Sequence, residues 1–502
     1  MQATRSYRGD YIKGHFVKVN DPNGEVLSKN PGDLDEPVLS FPFSYEHVGD
    51  VIDAARAGFK TWKRMPASDR YAALSRYRGL LQERKSSLAE MLAFEGGSPL
   101  WEAESEVNES VQLLEFYLSQ SSETEVERKL ENTSEMESVF RYYPKGPMVV
   151  ISPSTLPLLI SHSRFVPALL NGNSVVLKSS KFNPAVGQML AEIANDAGIP
   201  SGVFNVIHGN AELSRRLIGH KDVQGVFFTG SHEKALRIRK ELLNDYWKTL
   251  VINSGGKNGI VVWKDACYEK ALKESLYSAY LTTGQRYTST RRLLIHADLF
   301  DRFLSDFHSL SKKVRVDYGL LPDRHVFMGP LVSEAKMESY LRYQGIAVRE
   351  GCEEVMRGKH LEKERRGYYV SPSIHLVKDL NPKSIYQRDM IFGPNIAVYK
   401  IQDLDEVAEV LNQSPDGLVA SLYSTSRDTY ARLLGEVEVG LFHWNCPTVS
   451  PVYRLPFVGL KRSGNGRPMG TQAYLQCTNP MSSLELGAEK PYPHMPANLP
   501  KL

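Results

Sequence analysis

The four cysteines, Cys267, Cys352, Cys446 and Cys477, are the residues of this chain best suited to nucleophilic or metal chemistry. They lie far apart with no C-x-x-C pair, so neither a zinc site nor a disulfide framework is expected, and each thiol is read first as a small buried apolar residue. Cys446, in WNCPT beside Trp444 and Pro447, is the best candidate for a reactive thiol, weighed against a small packing residue. His162 and His208 fall near predicted strand ends; without a carboxylate partner they read as surface or packing residues rather than metal ligands. Arg286, Arg291 and Arg292 would suit an acidic substrate, against a first reading as surface charges and helix-end partners. Polar words recur at SPST, KSSK, HGN and TGS, and SGNGRP looks like a phosphate loop without a strand-to-helix context.

The elements that must position these words are clearest between Gly146 and Gly256. Short apolar, β-branched runs (PMVVI, SVVLKSS, VFNVIHG, GVFFTGS, TLVIN) alternate there with amphipathic segments of about 10 to 15 residues. Continuous apolar strands joined by helices predict a parallel sheet covered on both faces, with its ligand crevice at the carboxyl ends of the strands. SPST, KSSK, HGN and TGS lie at those ends and are the candidate lining of a nucleotide or small-molecule site. Upstream, residues 45–125 read as long helices packed on the sheet, with a terminal pair at Gly96 and Gly97. After Gly256 a second alternating pattern (GIVVW, RRLLIHADLF, IAVYKI, VASLYST) predicts a second α/β domain and a crevice between the two. ESVFRYYPKG reads as a strand outside both sheets with YLQCTNPMSSLE as its partner, and the tail EKPYPHMPANLPKL as an extended surface segment.

Composition narrows the function classes. At 502 residues, 42% hydrophobic and 24% charged, the chain is long enough for two or three domains. A formal charge of +3, with no basic tract interleaved with aromatics, argues against a nucleic-acid partner. The opening MQATRSYRGDYIKGHFVKV carries charge throughout, and no segment approaches the roughly 18 uninterrupted apolar residues of a membrane span, so a soluble, cytoplasmic protein without a membrane partner is expected.

Taken in order, FEGGSPLWEAESEV, VPALLNGNSVVLKSS, GVFNVIHG, FTGS, SGGKN, MGPLVS, GYYVSPS, IFGPN, WNCPT and PFVGLKRSGNGRP resemble the aldehyde dehydrogenase superfamily, and most closely its succinylglutamate semialdehyde dehydrogenase branch. The resemblance, from Tyr11 to Glu485, implies an aldehyde dehydrogenase-like α/β fold. Its parts would be a Rossmann-type cofactor domain (1–128 and 147–252), a catalytic-type α/β domain (253–445), a strand-based oligomerisation element (129–146 and 446–490) and a tail (491–502). It also implies a homodimer or dimer of dimers, bridged by strands near Val139 to Tyr143 and Ala473 to Leu484.

In that family a cysteine thiolate attacks the aldehyde, a backbone N–H and an Asn amide hold the oxyanion, hydride passes to NAD(P), and a Glu-activated water releases the acid. Nearly all of these positions differ here. Within TTGQRYTST the nucleophile word G-Q-x-C reads Gly284, Gln285, Arg286, Tyr287, and a phenol of pKa about 10 is scarcely ionised at neutral pH. The general-base word E-x-G-G-K begins with Asn253, whose amide cannot accept the water proton. In the oxyanion word P-x-N-x-P, Thr155 replaces the amide donor. In E-x-F-G-P, Met390 replaces the carboxylate that holds the nicotinamide ribose, while Phe392 is retained. Lys178 matches the lysine of the adenosine ribose; Lys181, three residues on, would favour a 2′-phosphate and hence NADP, or is a solvated surface charge. Gly209, Thr229, Gly230 and Ser231 match the pyrophosphate-side words, whereas Ala235 replaces a glycine and would crowd backbone approach. SGNGRP is a structural turn in this family, and no metal is implied.

Loss of nucleophile, base, oxyanion donor and ribose clamp together implies a pseudoenzyme with a structural, regulatory or ligand-binding role, because such groups act as a unit. Two readings stay open beside it. One is an active NAD(P)-dependent oxidoreductase that oxidises a semialdehyde to an acid with relocated residues, Cys446 foremost. The other is a binding or scaffold protein that holds a small acidic aldehyde or metabolite, or pairs with an active paralogue. The cofactor is NAD, NADP or none.

Overall fold

The computed structural model describes residues 6–120, 128–129, 136–320 and 325–490, with positions 492, 498 and 500. Most of the Pro-rich tail and the end of the 45–125 helical stretch lie outside the described residues.

The alternation between Gly146 and Gly256 folds into a parallel sheet in the order Thr249–Asn253, Gly225–Thr229, Pro147–Ile151, Ser174–Lys178, Phe204–Ile207. Its strands are continuous apolar runs because helices cover both faces, and Ser174–Lys178, Phe204–Ile207 and Gly225–Thr229 are buried at every residue. Chain order reverses between Pro147–Ile151 and Gly225–Thr229, the point at which an open α/β sheet leaves a crevice at its carboxyl edge. A hairpin of Asp10–Ile12 and His15–Val17 extends the Phe204–Ile207 edge in antiparallel fashion.

The helices His47–Trp62, Ala67–Glu83, Lys85–Gly96 and Leu100–Ser119 bury Trp62, Leu74, Tyr77, Leu92 and Leu114 in the same core as the first sheet. Within the stretch expected as long helices the chain breaks at Arg84, and the helix that follows stops at Gly97, whose φ of 74° is the left-handed cap that glycine adopts without a Cβ penalty. A Cβ there would also lie 2.5 Å from Pro330 Cγ.

A second sheet runs Glu353–Met356, Ser373–Val377, Asn395–Ile401, Arg292–His296, Gly259–Val262, Val419–Tyr423, Leu441–Trp444, parallel except at the first strand. Outside both sheets, Glu137–Pro144 pairs antiparallel with Thr478–Glu485 along its whole length, and Arg128–Lys129 adds a short third strand. Among the described residues no helix is long and apolar enough to cross a membrane, and no group of His, Cys, Asp and Glu is placed to hold a metal ion.

Candidate active-site cleft

The loop carrying Tyr287 leaves the helix Tyr268–Tyr280 through a tight turn, Leu281–Gly284. Thr282 and Thr283 have φ of 55° and 53°, left-handed values that β-branched residues seldom adopt and that persist only where the surroundings enforce them. Gly284 follows at φ 65°, and a Cβ on it would lie 2.3 Å from Gly393 O, so the loop is pressed against the F-G-P word. Asn258 Nδ2 donates to the carbonyls of Tyr287 (2.8 Å) and Ser289 (2.9 Å). Arg291 donates to Gly393 O (2.9 Å) and Arg286 O (3.2 Å), and Gln285 Oε1 accepts from Val332 N–H (3.0 Å).

The Tyr287 ring stands edge-on to Phe392, with centroids 5.6 Å apart. Beneath it lies Gly255 at φ 81°: a Cβ there would sit 2.8 Å from Tyr287 Cδ1 and 2.8 Å from Met390 Sδ. Three altered words, GQRY, NSGGK and MIFGP, therefore converge on one spot. Burial pushes the Tyr287 phenol above its ordinary range, which leaves it neutral at physiological pH. The Met390 thioether is at best a weak acceptor. Asn253 ends its strand opposite Thr229, buried, with no hydrogen-bond partner for Oδ1 or Nδ2. SGNGRP clamps this strand end: Gly464 bridges to Asn253, and the Asn465 side chain bonds Ile252 N–H (3.1 Å) and Leu250 O (2.6 Å), the structural turn expected of it.

Thr155 is buried between the strand Pro147–Ile151 and the helix Pro157–Leu170. With Glu102, Glu106, Thr282 and Gln285 it lines a cavity of about 30 Å³, room for a water or two. Glu106 Oε1 caps that helix by accepting the N–H of Leu158 (2.8 Å) and Leu159 (3.1 Å), yet burial still raises its carboxyl to about 8. Glu102 accepts from the Thr282 hydroxyl and from Arg286 Nη2 (3.1 Å).

Arg286 is consequently not a surface charge: it and Glu102 are only 7% and 2% exposed as side chains. Arg291 is fully buried as well, and Arg292, also buried, donates to Val410 O and Leu411 O (3.2 Å) at the end of the helix Leu404–Asn412. The surface expectation fails because each guanidinium also finds an acceptor distant in sequence: Glu102 for Arg286, Gly393 O for Arg291, Val410 O and Leu411 O for Arg292. Neither Glu102 nor Glu106 stands out in the sequence reading, although their i, i+4 spacing puts both on the stripe of Ala103 and Val107.

Lys178, at the carboxyl end of its strand, is 6% exposed; its carbonyl accepts from Ser152 N–H (3.0 Å), while its ammonium group has neither hydrogen bond nor ion pair among the described residues. Burial, followed by the ammonium groups of Lys234 and Lys181, brings it down to about 7. Lys181 is exposed and lies 4.9 Å over the Phe182 ring. Thr229, Gly230 and Ser231 lead into the helix His232–Glu241, which Ser231 caps by accepting from Lys234 N–H. Ala235, expected to crowd a ligand, is buried against Phe228 and Ile252. Gly209 is glycine for packing, since a Cβ there would lie 2.6 Å from Leu213 Cδ1. Set against a nicotinamide dinucleotide, the lysines and the glycine turn suit the adenosine and phosphate end. The other end does not fit: Tyr287 and Met390 cover Gly255, and Met390 offers no carboxylate to ribose hydroxyls.

His162 lies within the helix Pro157–Leu170 rather than at a strand end, between Tyr77 OH (3.1 Å) and Leu158 O (2.7 Å), and His208 Nδ1 pairs with Ser179 Oγ (2.7 Å). Burial brings both to about 4, so they are neutral packing residues. Cys352 and Cys477 are buried as expected, but Cys267 and Cys446 are exposed, which overturns the packing role read for those two.

Two parallel sheets, the first with a nucleotide-type switch point and the second bearing a strained loop, define an α/β protein of dehydrogenase architecture. The chain belongs to the aldehyde dehydrogenase family, whose pattern matches residues 20–482. It is 31% identical over 439 residues to the N-succinylglutamate 5-semialdehyde dehydrogenase of Novosphingobium aromaticivorans, covering 88% of this chain and 92% of that one. To the enzyme of the same name from Legionella pneumophila it is 30% identical over 481 residues, covering 95% of each. The solved structure of an NAD-dependent aldehyde dehydrogenase from Sinorhizobium meliloti matches with a TM-score of 0.92 at 25% identity, over 99% of this chain and 98% of that one.

Proposed function

We propose that this chain is a pseudoenzyme of the aldehyde dehydrogenase family, one that does not oxidise aldehydes and serves a structural, regulatory or ligand-binding role. The observation that carries this reading is the convergence of Tyr287 and Met390 on Gly255. Where a thiolate would have to meet an aldehyde and a nicotinamide, the cleft presents a neutral phenol ring and a thioether. Asn253 and Thr155 support it further, because an amide takes up no proton and a lost oxyanion donor costs about 2.7–4 kcal/mol of barrier. Since the relatives are named for N-succinylglutamate 5-semialdehyde, a small acidic aldehyde or metabolite is the ligand class to try, with NAD or NADP. Assembly as a homodimer or tetramer through Glu137–Pro144 and Thr478–Glu485, or pairing with an active paralogue, would give such a protein its role.

The test is an oxidation assay on the purified chain with N-succinylglutamate semialdehyde and each nucleotide. The expected result is no turnover above the protein-free rate. Turnover that Cys446→Ala abolishes would overturn this reading in favour of relocated chemistry.

A further inference from the structure

The cavity of about 30 Å³ lies where the first turns of the helix Leu100–Ser119 meet the start of the helix Pro157–Leu170 and the residue before the helix Pro184–Asp196. Its lining presents four side-chain oxygens that take no hydrogen bond among the described residues. Asn183 is 2% exposed, and neither its Oδ1 nor its Nδ2 has a partner. The amide does not cap the helix it precedes, because Glu95 accepts the N–H of Ala185 and Val186 (3.0 Å each) in its place. Glu102 gives Oε1 to Thr282 and Arg286 and keeps a buried Oε2 unpaired. Glu106 uses Oε1 on Leu158 and Leu159 and leaves Oε2 unbonded, as is Thr155 Oγ1. Buried polar atoms without partners are costly.

Charge decides what would join them. Glu102, Glu106 and Glu109 face a single guanidinium, that of Arg286, which pairs with Glu102. A water would meet the hydrogen bonds and leave the excess of carboxylates, whereas a cation meets both. The volume, that of a water or two, excludes a hydrated magnesium ion, and four oxygens are fewer than the about six to eight that calcium takes.

We infer that this cavity binds a dehydrated monovalent cation of ammonium or potassium size, held by Glu102, Glu106, Asn183 and Thr155. The inference does not depend on the non-catalytic reading above.

Thermal denaturation of the full chain in ammonium, potassium or choline chloride at one ionic strength tests it, choline being too large to enter. Ammonium, potassium or both should raise the melting temperature saturably, and choline should not. A response to ammonium alone assigns the site to a hydrogen-bonded cation, and a response to both assigns it to a cation chosen by size; either supports the inference. Asn183→Leu and Glu106→Gln should each raise the half-saturating concentration about ten-fold, the worth of one charge-assisted contact. Asn183→Leu removes an amide that caps nothing, so its melting temperature in choline chloride should not fall, which separates lost binding from lost folding. Glu106→Gln keeps an acceptor for Leu158 and Leu159. Crystals soaked in rubidium chloride should show an anomalous peak in contact with Asn183 and Glu102. Equal melting temperatures in all three salts, an unchanged half-saturating concentration in both variants, or water alone in the cavity of the rubidium-soaked crystal would each overturn the inference.

Discussion

At the scale of single residues, the four altered positions constrain one another. Tyr287→Cys restores a thiol to the strained loop but leaves Asn253 without basicity, Thr155 as a short donor and Met390 on Gly255. The single variant should therefore show no aldehyde oxidation above the parent, measured as NADH or NADPH formation; appreciable turnover would mean that the other three changes matter little. The Arg286–Glu102 pair makes a stability prediction. Glu102→Ala strips the partner from a guanidinium that is only 7% exposed, an expected loss of about 3–5 kcal/mol read from the denaturant midpoint. Combining it with Arg286→Met should recover most of that loss, because the uncompensated charge and not the missing carboxylate is the larger cost.

At the scale of elements, the helix Pro157–Leu170 begins on a borrowed cap. Leu156 at its N-cap has φ 48° and a side chain that cannot accept a hydrogen bond, so Glu106 from the helix Leu100–Ser119 supplies the acceptor. The folded-state value of about 8 lies above the ordinary 4.5, so folding takes up a proton. The associated stability is fully present below about pH 4.5 and is lost as pH rises through about 8. Glu106→Gln keeps an acceptor for Leu158 and Leu159 and removes the ionisation. Its melting temperature should match the parent near pH 4.5 and exceed it near pH 8.5; parallel pH profiles would mean that the carboxyl is ionised in the fold.

At the scale of the whole molecule, Thr478–Glu485 is an edge strand with Met481 and Leu484 exposed at 55% and 66%. An unpaired edge bearing apolar side chains is a template for another chain. If a second copy covers it, Met481→Lys with Leu484→Lys should reduce the particle mass measured by light scattering after size exclusion. An unchanged mass would place the assembly surface elsewhere.

The apolar alternation from Gly146 to Gly256, the second alternation after Gly256 and the helical periodicity upstream determined the two-sheet architecture on their own, because strand and helix periods are local properties. The pairing of Glu137–Pro144 with Thr478–Glu485 was legible as well, from two unplaced β-rich runs. So were the altered words, since each lies within a few residues. What they do to one another was not, because Tyr287, Gly255 and Met390 are separated in sequence and meet only through the fold. The same holds for charge. Arg286 and Lys178 look alike in sequence, but the fold gives one a carboxylate and leaves the other buried beside two lysines. Desolvation and long-range partners, which set the protonation and reach of a side chain, exist only in the tertiary structure.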